Sequence, residues 1–264
     1  MVLMMICVPT APLYKSPDIN SEHTDEALFG MTCEVLESTD GFYKVNMFYG
    51  YEGYIEKPFI CEQLHEPNSM VSVSFSDLLP DSRNFFRPVM TLPQGALLDV
   101  GFSEKYERYG FVILPNKRIY YIHKKHIKPL PFKSNKSETE LRGSIVANAL
   151  SYLGTQYRWG GKTHAGIDCS GLAFMAYYLS GILIYRDADI SKSPNVRRIR
   201  FNDAKAGDLI YFPGHMAVYL GDGEYVHSSA REGQVCIGSF CPDSDIYDDW
   251  LAKNISHTGT VFNG

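Results

Sequence analysis

Short apolar and polar runs alternate along the first half of the chain and are separated by turn residues. Between residues 1 and 65 this pattern predicts β-strands at 4–8, 33–37, 43–48 and 53–55. A looser version of it predicts strands at 71–75, 96–100, 109–114 and 118–122. Two strand-rich segments of similar length predict two small β-barrels in tandem, at 1–66 and 67–132.

The period of the pattern becomes helical after the polar segment 133–136. Ser137 and Glu140 have the spacing of a capping box, apolar residues recur at helical spacing from 141 to 153, and Gly154 is predicted to end the helix. A second helix is predicted at 169–179, and strands follow from Asp208 onward. Two helices followed by a sheet predict an α+β domain at 136–264.

Composition and charge narrow the class of protein. The chain has 264 residues and a net charge of −5, and its 25 basic residues are scattered along the sequence. This argues against a nucleic-acid-binding protein, because such proteins present a clustered basic face. The apolar run at the N-terminus is far too short to span a bilayer and has no basic segment before it. We expect a cytoplasmic protein with no membrane span; a trimmed signal peptide would instead make it secreted or periplasmic.

One of the six cysteines, Cys169, has the surroundings of a nucleophile. It would lie in the first turn of the second helix, where unpaired N–H groups and the positive dipole end favour a thiolate. We therefore expect a lowered pKa for its thiol. The alternative for this segment alone is a buried structural cysteine. Cys236 and Cys241 lack metal-ligand spacing and are predicted to be buried or surface thiols, so no metal site is expected.

A base could come from the hairpin that follows. Residues 214–220 and 224–229 read as paired strands around the turn 221–223. With a three-residue loop, Leu220 pairs with Glu224 and His227 falls opposite Ala217. His215 and His227 would then share a face, about 5–8 Å apart. A two-residue loop would place them on opposite faces, and the alternative is two unrelated histidines.

Five ordered segments together resemble the NlpC/P60 family of papain-like cysteine peptidases. They are 155–161 (TQYRWGG), 166–171 (GIDCSG), 206–212 (AGDLIYF), 214–221 (GHMAVYLG) and 225–227 (YVH). The resemblance implies a papain-like α+β domain with Cys169 as nucleophile, His215 as base and His227 as the residue that orients the base. It also implies that Tyr157 supports the oxyanion. Neither a metal nor an organic cofactor is implied.

The first 130 residues look like tandem bacterial SH3-type (SH3b) domains. The first module fits at 11–17 (APLYKSP), 28–30 (LFG) and 50–55 (GYEGYI), whereas the second module diverges. The whole arrangement resembles γ-D-glutamyl-L-diamino acid endopeptidases that recycle muropeptides. This implies a cell-wall peptide substrate, L-Ala-γ-D-Glu-diamino acid, cut at the γ-D-glutamyl bond.

Substrate contacts are implied for further residues. Asp187 matches an acid that binds the free α-amine of the substrate; the alternative is an aspartate at a helix end or on the surface. Tyr51 and Glu22 are looser matches to side chains that close the pocket, and the alternative for both is a solvated barrel residue. Asp168 and Ser170 flank Cys169 and would line the pocket, although Asp168 could equally cap the helix.

Other functions remain open at this point. A secreted hydrolase acting on intact peptidoglycan is one alternative, with the SH3b modules tethering it to the wall. A non-catalytic wall-binding protein is another, and an amidase or acyltransferase on the same scaffold is a third. An aspartate at position 187 argues against the hydrolase of intact peptidoglycan. The presence of Cys169, His215 and His227 argues against the non-catalytic wall-binding protein.

Overall fold

The computed structural model describes residues 3–63, 65–83, 86–133 and 135–263. The chain divides into two compact units, Met1–Leu130 and Pro131–Gly264. Within the part that the structure describes, none of the helices is both long and apolar enough to cross a membrane.

The first half of the first unit is one seven-stranded antiparallel sheet with the order β3-β2-β6-β5-β4-β1-β7. Its strands are β1 Met4–Ile6, β2 Thr10–Tyr14, β3 His23–Leu28, β4 Thr32–Ser38, β5 Phe42–Met47, β6 Glu52–Glu56 and β7 Ile60–Glu62. The four strands predicted in this region correspond to β1, β4, β5 and β6. The pattern missed three strands: the three-residue β7, β2, which contains Pro12, and β3, where the buried acids Asp25 and Glu26 interrupt the apolar alternation.

The second half of the first unit contains three small antiparallel sheets. Its strands are β8 Ser69–Val71, β9 Phe75–Leu78, β10 Met90–Pro93, β11 Leu97–Leu98, β12 Val100–Gly101, β13 Tyr109–Ile113, β14 Ile119–His123 and β15 Ile127–Pro129. The predictions at 109–114 and 118–122 match β13 and β14. Those at 71–75 and 96–100 each run across the end of one strand and the start of the next.

The two halves of the first unit share a core. Phe29, from the turn after β3, is buried among the apolar residues of the second half, including Val71, Leu92 and Leu98. The backbone N–H of Leu97 donates to the carbonyl of Phe29 at 2.8 Å. Gly30 has φ +77°, and a Cβ there would lie 2.1 Å from the carbonyl oxygen of Leu97. Only glycine allows this close approach.

The second unit has an α+β architecture. Its elements are α1 Glu138–Leu150, β16 Lys162–Thr163, β17 Gly166–Ile167, α2 Cys169–Tyr178, β18 Arg197–Ile199, β19 Leu209–Phe212, β20 His215–Gly221, β21 Glu224–Ser229, β22 Gln234–Ser239, α3 Asp249–Lys253 and β23 His257–Thr260. Six strands form an antiparallel sheet with the order β18-β23-β19-β20-β21-β22, and α2 packs on β20 and β21.

The predicted helix signals have the expected geometry. Ser137 caps α1, and its side chain and that of Glu140 form both hydrogen bonds of a capping box. The helix ends at Leu150, four residues before Gly154, which has φ +78° in the following turn. All ten residues of α2 are buried, so this helix is held rigidly in the middle of the unit.

Candidate active site

Cys169 is the first residue of α2, as the sequence predicts. Its side chain is buried, with 7% of its surface exposed. The backbone N–H groups of Met216, on β20, and Ser170 hydrogen-bond to the thiol and lower its pKa. Since Met216 directly follows His215, the helix start brings the sulfur against the strand that carries the predicted base.

Asp168 is the N-cap of α2 and is almost completely enclosed by hydrogen bonds. Its carboxylate accepts from the backbone N–H of Gly171 at 2.6 Å and of Gly160 at 2.7 Å. Arg186, itself 1% exposed, donates to both carboxylate oxygens, at 3.0 and 2.9 Å, and to the Ser170 hydroxyl at 2.8 Å. The structure therefore shows the capping role for Asp168, whereas substrate contacts of Asp168 and Ser170 stay predictions.

The hairpin that carries the two histidines has a different turn from the one predicted. Gly221, not Leu220, pairs with Glu224, so the loop has two residues. Asp222 has φ 51° and Gly223 has φ 81°, which is typical of a type I′ turn. A bulge at Leu220, between Tyr219 and Gly221, inserts the extra residue into the strand.

This bulge restores the register that brings the histidines together. Val218 pairs with Val226 and Tyr219 with Tyr225, so the ladder continues toward Ala217 opposite His227. His215 Nε2 and His227 Nδ1 are 2.8 Å apart and share a hydrogen bond. The predicted pairing of the two rings is therefore correct, although the loop length from which it was argued is wrong.

Burial shifts the pKa of the Cys169 thiol in the direction opposite to our expectation. It raises the pKa of Cys169 to about 12, and the adjacent Asp168 carboxylate acts in the same direction. Arg186 and the two backbone N–H groups lower the thiol pKa but do not outweigh burial. The expectation of a lowered thiol pKa from the helix N-terminus is wrong for this resting arrangement, in which Cys169 is a neutral thiol at neutral pH.

The two histidines are also neutral in this arrangement. Burial lowers the pKa of His215 to about 4, against smaller opposing effects of Asp248 and Asp168. Burial and the neighbouring His215 lower the pKa of His227 to about 3. His215 lies on the strand whose Met216 N–H contacts the Cys169 thiol, and a neutral imidazole is able to accept a proton.

Tyr157 lies close to the thiol. Burial raises the pKa of its hydroxyl to about 12, and the neighbouring Cys169 and Asp168 act in the same direction. The backbone around Tyr157 is fixed by a hydrogen bond to the carbonyl of Gly233 at 2.7 Å and by a parallel bridge to Ile167. The phenol therefore stays protonated at neutral pH and has a proton to donate.

Asp187 is half-buried in the turn that follows α2. Its carbonyl accepts from the N–H of Asp189 at 2.8 Å, and its negative charge contributes to raising the pKa of Lys192. Asp187 directly follows Arg186, whose side chain donates a hydrogen bond to Asp168 at the N-cap of α2, so the backbone of Asp187 is held close to that ion pair. Its predicted contact with a substrate amine stays a prediction.

Tyr51 and Glu22 belong to the first unit. Tyr51 is buried, and its hydroxyl donates to the carbonyl of Thr24 at 3.5 Å, so it is not the solvated residue of the alternative. Glu22 forms an exposed ion pair with Lys15 at 3.0 Å. Their predicted roles in closing the substrate pocket stay predictions.

Two residues near the site were not predicted. Arg186 stands next to Asp187 in the sequence, but nothing in the pattern shows that it reaches back to Asp168. The Sγ atom of Cys236 lies 3.4 Å from Nε2 of His227. The sequence signal that could have found Cys236 is the alternation of β22. When β22 is added to the sheet beside β21, this alternation places Cys236 opposite His227.

Comparisons with known proteins identify the family of this chain. A sequence model of the NlpC/P60 family matches residues 154–252. The chain is 33% identical to dipeptidyl-peptidase 6 of Lysinibacillus sphaericus over 262 residues, which is 96% of this chain and 97% of that protein. The chain belongs to the NlpC/P60 family of cysteine peptidases. A sequence model of the bacterial dipeptidyl-peptidase SH3 domain matches residues 13–57 of this NlpC/P60 protein.

Two further relatives come from Bacillus cereus. A gamma-D-glutamyl-L-lysine dipeptidyl-peptidase is 30% identical over 132 residues, which is 47% of this chain and 39% of that protein. The crystal structure of an NlpC/P60 family protein has a TM-score of 0.79 at 19% identity and covers 97% of this chain and 98% of that one. The papain-like α+β fold with an SH3-like N-terminal region is confirmed. A second SH3 domain at 67–132 and the boundaries of the three predicted domains stay predictions.

Proposed function

We propose that this NlpC/P60 peptidase hydrolyses the γ-D-glutamyl–diamino acid bond of free muropeptides that begin with L-Ala, and so recycles cell-wall peptides in the cytoplasm. The observation that carries the proposal is the 2.8 Å bond between His215 and His227, on the strands beside the buried Cys169. A thiol, a base and a residue that orients the base are the groups a cysteine peptidase needs. The name of the B. cereus dipeptidyl-peptidase supports the choice of bond.

The chemistry begins from the neutral pair. Nε2 of His215 is engaged by His227, so Nδ1 is the nitrogen left to receive the Cys169 proton. As the proton moves, the thiolate attacks the γ-carbonyl carbon of D-Glu. His215 then gives the proton to the leaving amine of the diamino acid, which leaves a thioester on Cys169. Water, deprotonated by His215, hydrolyses the thioester and restores the thiol.

Two donors are available for the oxyanion formed in each step. The backbone N–H of Cys169 is at the first position of α2 and has no partner within the helix. The Tyr157 hydroxyl is protonated, since its pKa is raised to about 12. Removing one such donor from an acyl-transfer site typically costs about 10²–10³ in kcat.

Recognition of the free amine is assigned to Asp187. An ammonium group forms a charge-assisted hydrogen bond with a half-buried carboxylate, whereas an N-acylated peptide offers no charge there. Asp168, Ser170, Tyr51 and Glu22 are proposed to complete the pocket. A requirement for a free α-amine favours short free peptides over intact peptidoglycan.

A defined digest tests the proposal. We expect mass spectrometry to show release of the diamino acid from L-Ala-γ-D-Glu-diaminopimelate and from its lysine analogue, and little release from the N-acetylated forms. Asp187→Asn should reduce this discrimination by raising KM for the free peptide. Equal cleavage of free and acetylated peptides would instead support a hydrolase of intact peptidoglycan.

The nucleophile is tested separately. Cys169→Ala should abolish turnover and leave the fold intact by circular dichroism, because it removes only the sulfur from a rigid helix start. Cys241→Ala, which removes an exposed thiol, is the matched control. Unchanged hydrolysis by Cys169→Ala would rule out the scheme. If a substrate-mimicking thiol probe leaves Cys169 unlabelled and no peptide is cut, the chain is a binding protein.

A further inference from the structure

The hydrogen-bonded row at the site does not end at His227. Cys236 lies directly opposite His227 in the ladder between β21 and β22. Its Sγ atom is 3.4 Å from Nε2 of His227, while Nδ1 of the same ring is 2.8 Å from Nε2 of His215. Both nitrogens of His227 are therefore engaged, one by the proposed base and the other by a thiol.

The proton positions along this row decide whether His215 can act. His215 must have a bare Nδ1 to accept the Cys169 proton, so its own proton lies on Nε2 and is donated to Nδ1 of His227. A neutral His227 that accepts at Nδ1 carries its proton on Nε2. That N–H points at the sulfur of Cys236. The reverse arrangement would put a proton on Nδ1 of His215 and block its use as a base.

The surroundings of Cys236 favour the productive arrangement. Burial and the nearby Glu232 raise the pKa of its thiol, so the sulfur is a neutral acceptor. His227 and Cys236 line a recess of about 300 Å³ that is also lined by the acidic residues Glu232, Asp245 and Asp248. Negative charge on this side favours the tautomer that carries the N–H on Nε2, facing the recess.

We propose that Cys236 is a positioning residue: its sulfur accepts the Nε2 proton of His227 and thereby keeps Nδ1 of His215 free to take the proton of Cys169. This inference rests on the proposed peptidase function. Cys236 acts through His227 and does not touch the substrate.

Three variants separate this role from simple packing. Cys236→Val keeps the approximate size and a strand-forming shape but removes the acceptor. Cys236→Ser keeps an acceptor at the same place, and Cys236→Ala replaces the valine variant if that protein does not fold. Cys241→Ser is the matched control, since Cys241 is an exposed free thiol shortly after β22.

The direct readout is the histidine tautomer. We expect ¹⁵N NMR of histidine-labelled protein to show His227 protonated at Nε2 in the wild type and in Cys236→Ser. Cys236→Val should shift the population toward Nδ1–H. An identical tautomer population in Cys236→Val and wild type overturns the proposal. This readout needs no substrate, so it stays decisive even if the protein proves inactive and the proposed function fails.

The kinetic readout is a double-mutant cycle. Cys236→Val should lower kcat roughly tenfold with little change in KM, and Cys236→Ser should recover most of the loss. In a His227→Gln background the valine substitution should have no further effect, because Cys236 acts only through the ring. An equal loss in both backgrounds would show that Cys236 contributes packing alone and would overturn the proposal.

Discussion

The thiol of Cys169 and the imidazole of His215 have pKa values shifted in opposite directions by the same cause. Burial disfavours the charged form of each, which raises the thiol pKa to about 12 and lowers the imidazole pKa to about 4. Both groups are therefore uncharged at neutral pH, and in the proposed scheme charge forms only when the proton moves from the thiol to the imidazole. Residue types alone predicted the pair but not its resting charge, because burial depends on packing from distant parts of the chain.

This charge state predicts a broad pH profile. The neutral pair persists between pH about 4 and about 12, so kcat/KM should be flat from about pH 5 to 7 and fall near pH 4 as His215 gains a proton. It should fall again above about pH 8, where the α-amine of the substrate loses the charge that Asp187 is proposed to bind. The measurement is kcat/KM on the free tripeptide across this range. Full recovery after return to pH 7 controls for unfolding. A limb near pH 6.5 would contradict the prediction.

Removing the buried guanidinium of Arg186 should lower the free energy of unfolding. It is buried and pairs with both oxygens of Asp168, so Arg186→Met leaves a buried carboxylate with its two backbone hydrogen bonds but without its ion-pair partner. We expect a loss of about 3–5 kcal/mol in the free energy of unfolding. Arg186→Lys should lose less, since it keeps the charge but not the two-pronged geometry.

Urea unfolding followed by tryptophan fluorescence measures this loss. Both tryptophans, Trp159 and Trp250, belong to the second unit, so the signal reports the unit that contains Arg186. Arg200→Met is the control, because Arg200 forms an exposed pair with Asp203 and its removal should leave the unfolding midpoint unchanged. Equal effects of the two substitutions would be inconsistent with a structural role for the buried pair.

At the scale of elements, local signals in the sequence predicted what local physics determines. The capping box of α1, the apolar face of α2 and the alternation of β13 and β14 depend on neighbouring residues only, and all were predicted. β2 was missed because it contains Pro12. β3 was missed because Asp25 interrupts its apolar pattern; that residue is buried, and its carboxylate accepts a hydrogen bond from Tyr49, 24 residues away. The bulge at Leu220 was missed because a strand pattern does not show which residue is left out of the ladder.

Deleting Leu220 tests whether the bulge sets the register of the histidines. The I′ turn would be kept, but every residue before the deletion would move by one place and His215 would change faces. We expect turnover to fall below detection, while far-UV circular dichroism still shows a folded protein. Leu220→Ala keeps the residue count and should retain most of the activity. Activity in the deletion variant would show that the register tolerates a shift.

At the scale of the whole molecule, the two histidines link stability to pH. Their folded pKa values, about 4 and about 3, lie below the ordinary value of 6.5. Below pH 6.5 the unfolded chain therefore binds protons that the folded one does not. The stability of the fold that depends on keeping these two histidines neutral is fully present above pH 6.5 and is lost as the pH falls toward 4.

The expected slope is up to about 1.4 kcal/mol per pH unit for each histidine in this window. Urea unfolding at several pH values, again followed by the two tryptophans, measures it. His227→Gln should make the curve flatter. His65→Gln, which lies in the first unit, should leave the slope as in the wild type. A slope insensitive to His227→Gln would show that other groups govern acid stability.

The close approach of Gly30 to Leu97 has a practical consequence for shortening the protein. A cut near residue 64 would remove the apolar neighbours of Phe29 and leave the Leu97 amide without its acceptor. Each fragment would then expose an apolar surface that favours aggregation. The first 130 residues therefore have to be handled as a single piece, however much their sequence looks like two repeats.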